Sequence, residues 1–118
     1  MATLSTHTLN SVDGTHAGHV GISLSQVRPD GERTPIFSKA TDAVGRLSER
    51  IEIASADSSA EYELVFQTGA YFEQQGLPMS GMRIMKTVVL RFAMPDPEGA
   101  YHMPLMIAPN SYSAWWSS

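Results

Sequence analysis

Apolar and polar residues alternate with period two along much of this chain, and turn residues break the alternation at short intervals. Val20, Ile22 and Leu24 alternate with Gly21, Ser23 and Ser25, the pattern of a strand with one buried face. Within Glu61 to Gln67, Tyr62, Leu64 and Phe66 face one way and Glu61, Glu63 and Gln67 the other. Ile51 and Ile53 share a face in the segment Leu47 to Ile53. Val88, Leu90 and Phe92 alternate with Thr87, Val89 and Arg91, which predicts one long strand from Arg83 to Met94. A last strand is expected from Tyr101 to Ala108, where Pro104 suits an edge position or a bulge. Asp13-Gly14, Pro29-Asp30-Gly31, Thr41 to Gly45, Pro78 to Gly81 and Pro95-Asp96-Pro97 read as turns or loops. Gly69 to Gly76 departs from the alternation. It is too short and too polar for a strand, and it predicts a short helix that carries Tyr71 and Phe72 and ends at Gly76 in a left-handed cap.

Strands of this kind, roughly seven or eight in number and separated by turn signals, predict an all-β, two-sheet sandwich with one short helix. A small closed barrel has the same periodicity and is the alternative. The 118 residues are the size of a single domain, so residues 1–118 are read as one unit.

Charge narrows the classes of function. The net charge is −4, and the eight Lys and Arg residues are scattered, which argues against a nucleic-acid binder. Charged residues make up 17% of the chain, below the roughly 25% usual for soluble domains. Such a surface is suited to burial against further copies of the chain. Cysteine is absent, which removes disulfides, thiol nucleophiles and thiolate metal sites, and fits a reducing compartment. Residues 1–10 lack the basic and apolar runs of a secretory signal, and no apolar stretch has the length of a membrane span. The expectation is a cytoplasmic protein.

The four histidines are the candidates for chemistry. His16 and His19 lie beside glycines in the first turn region and read as solvated loop residues. His7 precedes the first turn, His102 opens the last strand, and Arg46 sits at a loop-to-strand junction. No spacing of metal ligands and no Gly-x-Ser-x-Gly element is present, so neither a metal nor a cofactor is expected. These residues alone leave the function open.

Four blocks carry a resemblance. Leu4-Ser5-Thr6-His7 resembles the N-terminal signature of the 5-hydroxyisourate hydrolases, the enzymatic branch of the transthyretin-like proteins. Thr41 to Arg46 resembles their Thr-x-x-x-Gly-Arg loop. Tyr62 to Phe66 running into Thr68 to Phe72 looks like their strand-and-helix segment. Tyr101-His102-Met103-Pro104-Leu105, with Ala108-Pro109 and Tyr112-Ser113 after it, is similar to their C-terminal signature.

The resemblance implies a transthyretin-like sandwich, a homotetramer built as a dimer of dimers, and an active site in a cleft between dimers. It implies that His7, Arg46 and His102 are catalytic and that a small cyclic amide is opened by water. A neutral histidine is a suitable base near pH 7, whereas an arginine stays charged and holds an anion.

Departures from the family pattern fall near this site. The usual tail Tyr-Arg-Gly-Ser is replaced by Trp115-Trp116-Ser117-Ser118. Trp116 in the arginine position has one indole donor and a flat apolar face instead of a forked cation. Trp116, Ser117 and Ser118 are accordingly read as substrate-binding residues, although the tryptophans also suit packing at a subunit interface. Ala100 replaces a usual histidine, Asn10 and Val44 replace aspartates, and His16 stands where a proline is frequent. The alternatives are a relative acting on a more apolar cyclic substrate, as hydrolase, cyclase or isomerase, and a non-catalytic ligand binder.

Overall fold

The computed structural model describes residues 1–54, 57–76 and 81–117. Nine strands and one helix are present among them: β1 Ala2–Asn10, β2 Thr15–His16, β3 Gly21–Val27, β4 Arg33–Ala40, β5 Arg46–Ile51, β6 Glu61–Phe66, α1 Thr68–Gln75, β7 Val88–Ala93, β8 Ala100–Ala108 and β9 Ser111–Ala114. They form two sheets. One has the order β2-β1-β8-β9, with β5 also paired to β1, and the other has the order β4-β3-β6-β7. This is the expected sandwich.

The core lies between the sheets. Ile22 and Leu24 of β3, Leu64 and Phe66 of β6, and Leu105 and Ile107 of β8 are all fully buried or nearly so. The period-two rule explains the set, because each contributes from one face of its strand. The helix matches its expected place. Gly76 adopts φ 64°, and its N–H closes on the carbonyl of Glu73. Tyr71 and Phe72 are buried, and the Tyr71 hydroxyl accepts a hydrogen bond from Asn10 Nδ2 at 3.1 Å.

β1 buries Ala2, Leu4, Thr6, Thr8 and Asn10, and turns Thr3, Ser5, His7 and Leu9 to the outer face. Its core face is thus largely polar. The hydroxyls are bonded inside: Thr6 Oγ1 donates to the Met103 carbonyl at 2.6 Å, and Thr8 Oγ1 to the Ala17 carbonyl at 2.6 Å.

Two expectations need correction. The strand predicted from Arg83 begins only at Val88. Upstream, the Asn110 side chain takes the place of a neighbouring strand: its Oδ1 accepts from the N–H of Ile84 and Met85, and its Nδ2 donates to the Met82 carbonyl. Second, Pro104 lies in a central strand, since β8 runs between β1 and β9. The ladder weakens where the missing N–H requires it. β9 ends at Ala114 opposite Leu105, Trp115 N–H reaches the Pro104 carbonyl at 3.4 Å, and pairing resumes between His102 and Ser117. The loop expected at Pro78 to Gly81 lies outside the described residues except for Gly81.

Candidate active site

Strand register assembles the site. His7 stands directly opposite Arg46 in the antiparallel β1–β5 pair, and Ser5 opposite Ser48. On the other side of β1, Ser5 stands opposite His102 in the parallel β1–β8 pair. Partners in register share a face, so His7, Ser5, Arg46, Ser48 and His102 all project from the outer face of one sheet.

A cleft of about 380 Å³ opens on that face, lined by Ser5, Thr6, Asp42, Arg46, Leu47, Ser48 and His102. His7 flanks the cleft from its position opposite Arg46. Residues that are 95 positions apart in the chain, His7 and His102, are thereby brought within two register steps on adjacent strands.

Each side chain is held by its neighbours. Ser5 Oγ and His102 Nδ1 share a hydrogen at 2.9 Å. His102 is fixed through its backbone as well, donating to the Ser117 carbonyl at 3.0 Å and accepting from Ser117 N–H at 2.8 Å. Nε2 of His7 lies 3.1 Å from the Val44 carbonyl and 2.9 Å from Nδ1 of His16. Partial burial holds the His7 imidazole below its ordinary value near 6.5, the positive charges of Arg46, His16 and His102 act in the same direction, and the Val44 carbonyl opposes them. His7 is therefore a neutral ring at pH 7, with a free lone pair.

Arg46 is placed by its loop. Asp42 Oδ1 accepts the N–H of Arg46 at 2.9 Å and of Val44 at 3.0 Å. Those backbone bonds, led by Arg46 N–H, keep the Asp42 carboxyl below the usual carboxylate range. Gly45 turns the chain at φ 78°, and a Cβ there would lie 2.3 Å from the Thr8 carbonyl oxygen. The Arg46 guanidinium forms no salt bridge among the described residues, which leaves it available for an anion. Among those residues no group of three or more His, Asp or Glu side chains is arranged for a metal ion.

The tail divides between the two faces. Ser117 is opposite His102, and the intervening register places Trp115 opposite Pro104 and Trp116 opposite Met103. Ser117 and Trp115 therefore share the outer face with His102, and Trp116 points to the other side. There it lines a second cavity of about 620 Å³ with Phe92, Pro95, Tyr101 and Met103. Trp116 is thus not brought to the cleft of Arg46 and His102. The replacement of the family's arginine by Trp116 could not reveal this, because face is set by pairing register. Ser118 lies outside the described residues.

Ser5, Ser48 and Asp42 line the cleft without having been singled out, and His16, expected as a solvated loop residue, lies instead on β2 in contact with His7. Ser5 and Ser48 were legible as period-two neighbours of His7 and Arg46. Asp42 had the signal of an Asx turn ahead of Gly-Arg. His16 was visible beside the Asp13-Gly14 turn, but its contact with His7 depends on the pairing of β1 with β2.

A β-sandwich whose outer sheet face carries two histidines and an arginine beside a small cleft defines a transthyretin-type fold with a polar, titratable site. Residues 4–116 match the model of the HIUase/Transthyretin family, and the chain belongs to that family. A 5-hydroxyisourate hydrolase of Mesorhizobium japonicum is 35% identical over 116 residues, 98% of this chain and 91% of the relative. The crystal structure of sea bream transthyretin in complex with thyroxine superposes with a TM-score of 0.79 at 29% identity, covering 97% of this chain and 93% of that one. The structure of Klebsiella pneumoniae 5-hydroxyisourate hydrolase gives 0.76 at 29% identity, with all of both chains covered.

Proposed function

We propose that this protein is a 5-hydroxyisourate hydrolase that opens a cyclic amide with water, using His7, Arg46 and His102. The observation that supports this reading is the shared face of the three side chains, with Arg46 and His102 lining one cleft, His7 in register opposite Arg46, and Arg46 free of any carboxylate salt bridge among the described residues. Relatives 35% and 34% identical to this chain over nearly its whole length carry that enzyme's name.

The chemistry follows from the groups. Ring opening requires a water oxygen to add to the carbonyl carbon while a base removes its proton. A neutral histidine does this, and the lowered proton affinity of His7 keeps it neutral at pH 7. Negative charge then develops on the carbonyl oxygen, and Arg46 stabilises it. The ring C–N bond breaks as its nitrogen takes the proton that His7 removed from water, returned on this reading through His102, which is tethered to Ser5, so that both histidines end as they began. Ser117, on the same face as His102, borders the substrate, and Ser118 follows it in the chain.

Assembly as a homotetramer belongs to the same proposal. β7 and β9 are open sheet edges, and exposed apolar side chains accompany them, including Val89 on β7 and Tyr112 on β9. Among the described residues no helix is long and apolar enough to cross a membrane. A cytoplasmic location belongs to the same proposal and accords with a chain that has no cysteine.

The test is optical. Purified protein mixed with freshly generated 5-hydroxyisourate is expected to accelerate the decay of its absorbance. A well-folded protein that leaves the spontaneous rate unchanged overturns the assignment.

A further inference from the structure

His16 lies on β2 opposite Leu9, on the face that carries His7, and the two imidazoles touch. Their ring centroids are 5.0 Å apart. His7 Nε2 is 2.9 Å from His16 Nδ1 and 3.1 Å from the Val44 carbonyl oxygen. A carbonyl oxygen only accepts, so Nε2 of neutral His7 carries a hydrogen. That same N–H meets Nδ1 of His16, which must then be the acceptor, with the His16 hydrogen on its own Nε2. Nδ1 is left as the basic nitrogen of His7. When Nδ1 takes a proton, the Nε2–H becomes a charged and stronger donor, and the acceptor beside it stabilises the imidazolium. A base oriented by a third group that accepts its second ring hydrogen is a general arrangement in catalysis.

We propose that His16 is a positioning residue for His7, accepting its Nε2 hydrogen and so fixing the ring's tautomer and orientation for proton uptake at Nδ1. The inference rests on the reading of His7 as the base. The groups facing His7 are Arg46 from β5, His102 from β8 and His16 from β2, all of them cationic or able to become so, together with the Val44 carbonyl. Protonation of His16 at Nδ1 would set N–H against N–H. The couple therefore requires a neutral His16, whichever state His7 is in.

The experiment has two arms on the full chain. Long-range proton–nitrogen NMR of the imidazoles, without substrate, reads tautomer and hydrogen bonding directly. Turnover of 5-hydroxyisourate is measured in parallel for His16→Ala, which removes the acceptor, and His16→Asn, which supplies an amide oxygen. At pH 8 both His7 and His16 are expected as Nε2–H tautomers, and His16→Ala is expected to shift the His7 Nε2 resonance. In that variant kcat falls by about tenfold, the effect of one ordinary hydrogen bond, with KM unchanged, and His16→Asn stays within about threefold of the parent. His7 resonances indifferent to His16→Ala, or equal losses in the two variants, overturn the proposal. Absence of any turnover by the parent protein defeats the hydrolase reading separately, and the spectra still decide whether the couple exists.

Discussion

His7 on β1 and Arg46 on β5 stand directly opposite each other across an antiparallel strand pair, so a titratable imidazole faces a permanent cation. Partial burial depresses the proton affinity of His7 most, and Arg46 is the next contributor. Arg46→Ala removes that repulsion, so the His7 titration is expected to move up toward 6.5. Proton NMR of the ring against pH checks this without substrate. An unchanged or lower midpoint contradicts the placement.

The same shift couples stability to pH. With the folded-state affinity of His7 below its unfolded value, the unfolded chain binds more protons as pH drops below about 6.5. Stability is therefore fully present above that pH and falls as acid is added. A second loss follows lower down, where Asp42, Asp13 and Glu63 must be protonated, because their carboxyls are all held below the usual range in the fold. Urea midpoints at pH 7.5, 5.5 and 3.5 are expected to decrease in that order, and His7→Gln to flatten the first step.

Ser5 tethers His102 through Nδ1 at 2.9 Å. Ser5→Ala removes this bond from a half-buried position and leaves the core face of β1 untouched. The expected result is a fall in kcat of about tenfold with little change in Tm. A loss of Tm matching the loss of activity would mark Ser5 as a structural residue only.

Gly45 controls where β5 begins. An alanine there would adopt φ 78° and press its Cβ to 2.3 Å from the Thr8 carbonyl oxygen and 2.8 Å from that of Ala17. Gly45→Ala is expected to cost about 2–4 kcal/mol in chemical unfolding and to displace Arg46 from its place opposite His7. Stability equal to the parent would show that the loop relaxes freely.

How much of this was visible in the chain varies with the chemistry of each strand. β3 and β6 were plain, because Ile22, Leu24, Leu64 and Phe66 alternate with polar residues and fill the core. The helix was plain because Gly69 to Gly76 is too short and too polar for a strand and closes on a capping glycine. β4 was hidden, since only Phe37 of its residues is even half-buried and no hydrophobic period marks it. β1 was hidden for the opposite reason: its core face is built from Thr6, Thr8 and Asn10, which hydropathy reads as surface. His7, Arg46 and His102 were named from their blocks in the sequence, but their common face is a property of register across three strands. The same register placed Trp116 away from them, and a fold of the chain after Asn10 brought His16 to His7.

The central claim is that His7 and His102 work as one unit at the cleft of Arg46. It is tested most directly by the rate of 5-hydroxyisourate decay with His7→Asn, His102→Asn and the double variant. Each single change is expected to lower turnover by about two to four orders of magnitude, and the double change to lose little more than the worse single one. Losses that multiply in the double variant, or a single variant with parental turnover, would contradict the account.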